Sequence, residues 1–188
     1  GKTMYMALLT LTEINVPNGV VSIIGDGLSG SSATKIILPD TVSSNFGGAV
    51  FNGMNKLTTI ELSGTSKNLK LVDGNLYSYD GKRFIKYMGS SKNFTVPEGV
   101  ETLLNGCITK SMTTLNLPST LKVIEGWSLT GMSGVKLLNI PASVTTMYTY
   151  SFHDNTKLRV AEGNATYKSI DDVLILNKAG TKVIMAKS

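Results

Sequence analysis

The chain has 188 residues, 41% of them apolar and only 16% charged, with a net charge of +5 at neutral pH. That length can bury a core as one domain over residues 1–188, no run of 18 apolar residues offers a membrane span, and the 18 Lys and Arg are dispersed rather than blocked, which argues against nucleic acid as a partner. A single cysteine, Cys107, rules out an internal disulfide framework and a cysteine-rich zinc site.

The opening GKTMYMALLT lacks the charged head, long apolar stretch and small-residue cleavage site of a signal peptide. Gly1 in place of an initiator Met points to a native start further upstream, with any signal or anchor removed. The first predicted strand is Ile14-Asn15-Val16, ended by Pro17, and the second is Ile36-Ile37-Leu38, ended by Pro39. Ile60-Glu61-Leu62 is the same strand without the proline. Residues 71–87, LVDGNLYSYDGKRFIKY, alternate apolar and polar around Asp80-Gly81, the strongest short-range hairpin signal. Phe94-Thr95-Val96-Pro97, Leu115-Asn116-Leu117-Pro118 and Leu138-Asn139-Ile140-Pro141 resume the pattern, and Leu158-Arg159-Val160 lacks the proline. A second hairpin joins Asp172–Leu176 to Thr181–Met185 through the loop NKAG. Both insertions, about residues 69–89 and 170–186, read as hairpins interrupting or closing the stack. The second covers the exposed end, unless the native chain continues past Ser188.

Measured between third strand residues, the steps from Val16 to Leu38 and on to Leu62 are 22 and 24 residues. From Val96 through Leu117 and Ile140 to Val160 they are 21, 23 and 20, and only the step from Leu62 to Val96, at 34, breaks the rhythm. Three residues after each proline stand Val20, Val42, Val100, Leu121 and Val144; six after stand Ile23, Leu103, Ile124 and Met147, with Phe46 one residue late. Eleven after stand Leu28, Ile108, Leu129 and Phe152, with Phe51 late by the same one. Units of this size cannot close a core alone, so the pattern predicts a stacked solenoid in which equivalent strands pair and apolar slots form continuous columns. Proline withholds an N–H from the ladder and bends the chain toward a second face.

The run LNLPSTLKVIEGWSLTGMSGVKLLNIPASVTTMYTYSFHDNTKL resembles the BspA-type (Treponema pallidum-type) leucine-rich repeat, whose unit reads approximately LxxIxLPxSVxxIGxxAFxxCxx. LVDGNLYSYDGKRFIKY and VAEGNATYKSIDDVLILNKAGTKVI resemble the recurring interruption of that family, and the likeness extends over residues 8–186. The family's Ala-Phe becomes Gly27-Leu28, Val50-Phe51, Cys107-Ile108, Ser128-Leu129 and Ser151-Phe152, and its preceding Gly becomes Ile24, Leu104, Glu125 and Tyr148. Both sets read as size exchanges within a packed column. The resemblance implies a right-handed leucine-rich-repeat solenoid of ~23-residue units. It also implies surface or secreted proteins of bacteria and some protozoa that bind host matrix or plasma proteins or other cells.

Catalysis has little to work with, and the chain reads as no enzyme. His153, the only histidine, lies in the turn SFHDN beside Asp154 and two residues after Ser151, but adjacency in a turn is not a relay. Cys107 occupies a small packed slot. GDGLSG at 25–30 sits on a repeat turn, and Asp171-Asp172 is no calcium loop. No cofactor or metal is implied.

Binding has more support. The middle residue of each strand points away from the core, so Asn15, Ile37, Glu61, Thr95, Asn116, Asn139 and Arg159 form one stripe. That stripe is either a partner face or a solvated sheet face with Asn116 bonded to Asn139. Nine residues after the proline stand Trp127 and Tyr150, where other units carry Asp26 or Gly106. With Tyr148 they form an aromatic cluster or cover the solenoid's edge. An exposed hairpin bearing Tyr77, Tyr79, Lys82, Arg83 and Tyr87 is a third candidate. The expected function is a cell-surface or secreted module recognising a protein or glycan, the alternative being a structural spacer that presents a neighbouring domain.

Overall fold

In a computed structural model, which describes residues 2–4, 11–47 and 50–187, the chain is a β-solenoid of about seven turns. Residues 8–10, where the family likeness begins, lie outside the described residues. The predicted strands all pair in parallel, in three separate sheets along one side of the coil. Glu13–Asn15, Lys35–Pro39 and Thr59–Ser63 pair in register, stacking Ile14, Ile36 and Ile60. Asn93–Thr95 pairs with Thr114–Asn116, and Leu137–Ile140 with Lys157–Val160. After each proline-ended strand the proline carbonyl accepts a hydrogen bond from the N–H of the third residue on: Pro17 from Val20, Pro39 from Val42, Pro97 from Val100, Pro118 from Leu121 and Pro141 from Val144. The proline therefore opens a turn at the point where it leaves the ladder, and that turn delivers the buried Val or Leu.

The second ladder holds Arg83–Lys86, Thr102–Leu103, Val123–Ile124 and Thr146–Met147, also parallel, with Phe84, Leu103, Ile124 and Met147 in one row. Lys2–Met4 pairs likewise with Val20–Ile23. The only helical segment among the described residues is the single 3₁₀ turn Thr149–Ser151.

Both expected hairpins are three-stranded antiparallel meanders. The first runs Leu69–Val72, Asn75–Ser78 and Arg83–Lys86, and the second runs Tyr167–Ile170, Leu174–Asn177 and Val183–Ala186. The first turn of the first meander is Asp73-Gly74, with φ of 49° and 76° at its two residues, the left-handed pair that matches strand twist. Its second turn is closed by Ser78, whose hydroxyl donates to Asp80 at 2.6 Å, while Asp80 accepts from the Lys82 N–H at 3.0 Å.

This meander does not interrupt the stack. Its third strand, Arg83–Lys86, supplies the second-ladder strand of its own turn. Its two faces are both buried. Leu69, Leu76 and Ile85 pack with the apolar residues of the preceding turns, whereas Tyr77, Phe84 and Tyr87 pack with those that follow. The expectation of an exposed hairpin is thus corrected for Tyr77 and Tyr87, which are 4% and 3% exposed. Alternation across a strand sends neighbouring side chains to opposite sides, and here both sides are core. Tyr79 and Lys82, beyond the strands, are exposed.

Candidate functional site

The second ladder continues past its paired residues and carries the aromatic cluster. Glu125 N–H donates to Leu103 O at 3.0 Å, and Tyr148 N–H to Ile124 O at 3.3 Å. Two residues on, Gly106 N–H donates to Trp127 O at 3.2 Å and Trp127 N–H to Tyr150 O at 3.3 Å. Repeat stacking therefore sets Leu104, Glu125 and Tyr148 in one column and Gly106, Trp127 and Tyr150 in the next. The rings meet: Trp127 and Tyr150 centroids are 4.6 Å apart and tilted by 41°, and Tyr148 and Tyr150 are 5.9 Å apart at 42°. These are favourable tilted geometries.

The three rings are 48%, 45% and 49% exposed for Trp127, Tyr148 and Tyr150. They form an open, half-exposed cluster along the edge of the solenoid, with Tyr150 lying over the Gly126 backbone. The reading of Ile24, Glu125 and Tyr148 as members of a packed column is also corrected. Ile24 and Tyr148 are exposed and Glu125 half-buried, leaving only Leu104 inside. The Ala-Phe column is packed as expected, with Gly27, Val50, Cys107, Ser128 and Ser151 all buried.

Two backbone features hold the platform. Tyr150 lies against the backbone of Gly126, where an added Cβ would stand 2.1 Å from the ring. Trp127 has φ of 52°, in the position where the preceding unit places Gly106 at 69°. A left-handed conformation costs a residue with a Cβ about 1–2 kcal/mol. Trp127 bears that cost at a position where the preceding unit uses glycine.

Between the rings and the preceding turn lies a cleft of about 290 Å³ lined by Asn105, Val123, Glu125, Gly126 and the three aromatics. Glu125 Oε2 accepts from the Asn105 N–H at 3.1 Å, and its Oε1 is 3.9 Å from the Arg83 guanidinium. The Asn105 side-chain oxygen is shielded from solvent and has no partner within the described residues. Asn105 and Glu125 were not among the residues singled out from the sequence. A carboxylate in the slot otherwise filled by Ile24, Leu104 and Tyr148 is the signal that marks Glu125; nothing marks Asn105.

The polar stripe is present but divided. Asn15, Ile37 and Glu61 are in register, as are Thr95 with Asn116 and Asn139 with Arg159. All are exposed except half-buried Ile37. The ladder is not hydrogen-bonded between Thr114–Asn116 and Leu137–Ile140, so Asn116 bonds Thr95 at 3.1 Å and not Asn139. That break opens a cleft of about 430 Å³ flanked by Asn116, Leu117, Asn139, Pro141 and Arg159. Arg159 is already engaged by Asp172 through two hydrogen bonds of 3.0 and 2.5 Å. The pair raises the guanidinium's pKa and lowers the carboxyl's. Lys35 bridges Glu61 at 3.0 Å and Glu13 at 3.8 Å, which leaves the upper stripe little free charge.

The residues around His153 are not arranged for a relay. The Ser151 hydroxyl points inward and donates to Glu125 O at 2.8 Å, and His153 Nδ1 accepts from the Asn155 N–H at 3.3 Å. Cys107 is fully buried and its thiol donates to Ser128 O at 3.3 Å; burial pushes its pKa up, away from the thiolate. No group of three or more His, Cys, Asp or Glu suited to a metal occurs among the described residues.

The family model for the BspA type leucine rich repeat region matches the chain in 6 copies, over residues 1–78 and 81–188. A solved leucine-rich repeat protein from Eubacterium ventriosum is similar, with a TM-score of 0.65, 18% identity, and 81% of this chain and 46% of that chain covered. A leucine rich cell surface protein from Faecalibacterium prausnitzii has a TM-score of 0.48 and 18% identity, with 90% and 52% covered. A T. pallidum leucine rich repeat protein has a TM-score of 0.34 and 18% identity, with 77% and 55% covered. The chain thus spans about half the length of these structures. No curated protein sequence matches it.

Proposed function

Because the chain belongs to the BspA-type leucine-rich repeat family, we propose that it is a non-enzymatic binding module of a cell-surface or secreted bacterial protein, recognising a protein or glycan partner through its aromatic platform. One observation carries this reading: three half-exposed rings gathered from consecutive turns, one of them a tryptophan on a left-handed backbone. Trp and Tyr are the residues that most often anchor interfaces, because they supply large contact area at low entropic cost. The surface or secreted setting rests on the family resemblance. The divided stripe, with its charges already paired, is the weaker candidate for contact.

The test is an array of matrix proteins, plasma proteins and glycans probed with the native chain and with Trp127→Ala. At least one ligand is expected to bind the native chain and to lose most of its signal with the variant. An array on which nothing binds overturns the proposal and leaves the spacer role. A ligand that binds both chains equally moves the contact surface away from the platform.

A further inference from the structure

We propose that the platform cleft takes an uncharged saccharide, an inference that rests on the binding-module reading and specifies its ligand. The polar groups of the cleft decide the class. Glu125 presents a carboxylate acceptor, and the indole N–H and phenol hydroxyls of the three rings supply donors beside it. A ligand whose groups both donate and accept hydrogen bonds is therefore favoured. Saccharide hydroxyls do so while the apolar face of the sugar ring lies against an aromatic ring.

The other ligands that aromatic platforms attract fit less well. A proline-rich peptide also docks on Trp and Tyr ridges, but proline offers carbonyl acceptors and no N–H donor. Proline itself would bring no donor to the Glu125 carboxylate. A cationic group would suit the rings, but Arg83 stands 3.9 Å from Glu125 and offsets its charge. The chain's net charge of +5 opposes cations further. The cleft, at about 290 Å³, matches the lower end of small-ligand sites at roughly 300 Å³. Gly126 holds Tyr150 flat against the turn, so the rings are positioned before a ligand arrives.

Trp127 is the chain's one tryptophan, so intrinsic fluorescence reports on the cleft. The experiment titrates the whole chain with uncharged di- and trisaccharides (maltotriose, cellobiose, lactose, chitobiose) and, in parallel, with a polyproline peptide and a lysine-rich peptide. A saturable change with at least one saccharide is expected, weakened about tenfold or more by Tyr150→Ala and by Glu125→Gln. Circular dichroism confirms that both variants are folded. Glu125→Gln separates the two readings, because it leaves the rings intact while removing the charged acceptor. If the saccharides give no change and either peptide saturates, the ligand class is wrong and the platform remains a binding site. If a saccharide binds but neither substitution weakens it, the sugar sits elsewhere and the inference is overturned. If nothing in either set binds and no array ligand depends on Trp127, the saccharide and the platform fall together.

Discussion

Replacing Lys86 with methionine tests whether the solenoid holds a positive charge in its interior. The side chain is 2% exposed, and its ammonium donates to Gly106 O and Thr109 Oγ1, both at 2.9 Å. Burial lowers its pKa from 10.5 to about 8. A depressed pKa contributes stability that is complete above the unfolded value, near 10.5, and is lost as pH falls through about 8. Between those limits the unfolded chain carries the proton that the folded chain has released, so stability rises with pH. Each unit of separation is worth about 1.4 kcal/mol, and since the folded group is half protonated at pH 8 the gain between pH 8 and pH 10 is about 2.2 kcal/mol. From about pH 9 the buried Cys107 thiol, and from about pH 10 the Tyr77 phenol, which burial aided by Asp73 raises to about 12, oppose the climb in native and variant chains alike. There the folded chain keeps a proton that the unfolded chain gives up. Lys110 and Lys187, both lowered by burial, tilt the native and variant curves alike. The assay is urea unfolding followed by tryptophan fluorescence at half-unit steps from pH 7.5 to 10. The native curve should climb relative to Lys86→Met by about 2–3 kcal/mol across that window. Parallel curves would refute the argument, since they would mean that the ammonium remains solvated in the folded chain.

Trp127→Gly should be more stable than Trp127→Ala by about 1 kcal/mol, because both lose the ring but only alanine keeps a Cβ on a left-handed backbone. Urea unfolding followed by circular dichroism checks this, and equal stabilities would remove the case for strain. Asn164→Ala should cost about 3 kcal/mol. This fully buried amide donates to Pro141 O and Val144 O at 3.0 and 2.8 Å and accepts from the Thr166 and Tyr167 N–H groups at 2.8 and 2.7 Å. A loss below about 1 kcal/mol in the same unfolding assay would show that other groups can serve these four partners.

The coil itself is legible in the sequence because its signals are local. Proline after a two-faced strand, and apolar letters at fixed offsets, specify which backbone turns and which side chain goes inward. Leu28, Ile108, Leu129 and Phe152 all arrive where spacing put them, at 5% exposure or less. The roles of the meander were harder to read, since alternation alone does not say whether one face or both faces are dry. The adjacent apolar pairs Leu76-Tyr77 and Phe84-Ile85 carry that information, because a strand buried on both sides needs apolar residues at successive positions. The matching letters of Asn116 and Asn139 imply a bond that the unpaired ladder between them forbids. That break depends on how two whole turns seat on each other, and no residue pair spells it. At the candidate site the aromatics stand out by type. Asn105 gains significance only from the absence of a partner, which is a property of three-dimensional surroundings.

A stacked coil ordinarily transmits a local defect to its neighbours, since every turn leans on the next. Here the first meander is a bulkhead: Leu76 and Ile85 belong to one compartment and Tyr77 and Phe84 to the other, with the sheet's own hydrogen bonds running between. Fraying that begins in the turns before it meets a hydrogen-bonded wall before it reaches the compartment that carries Trp127. The amino-terminal turns are therefore expected to lose amide-exchange protection before the aromatic face downstream does.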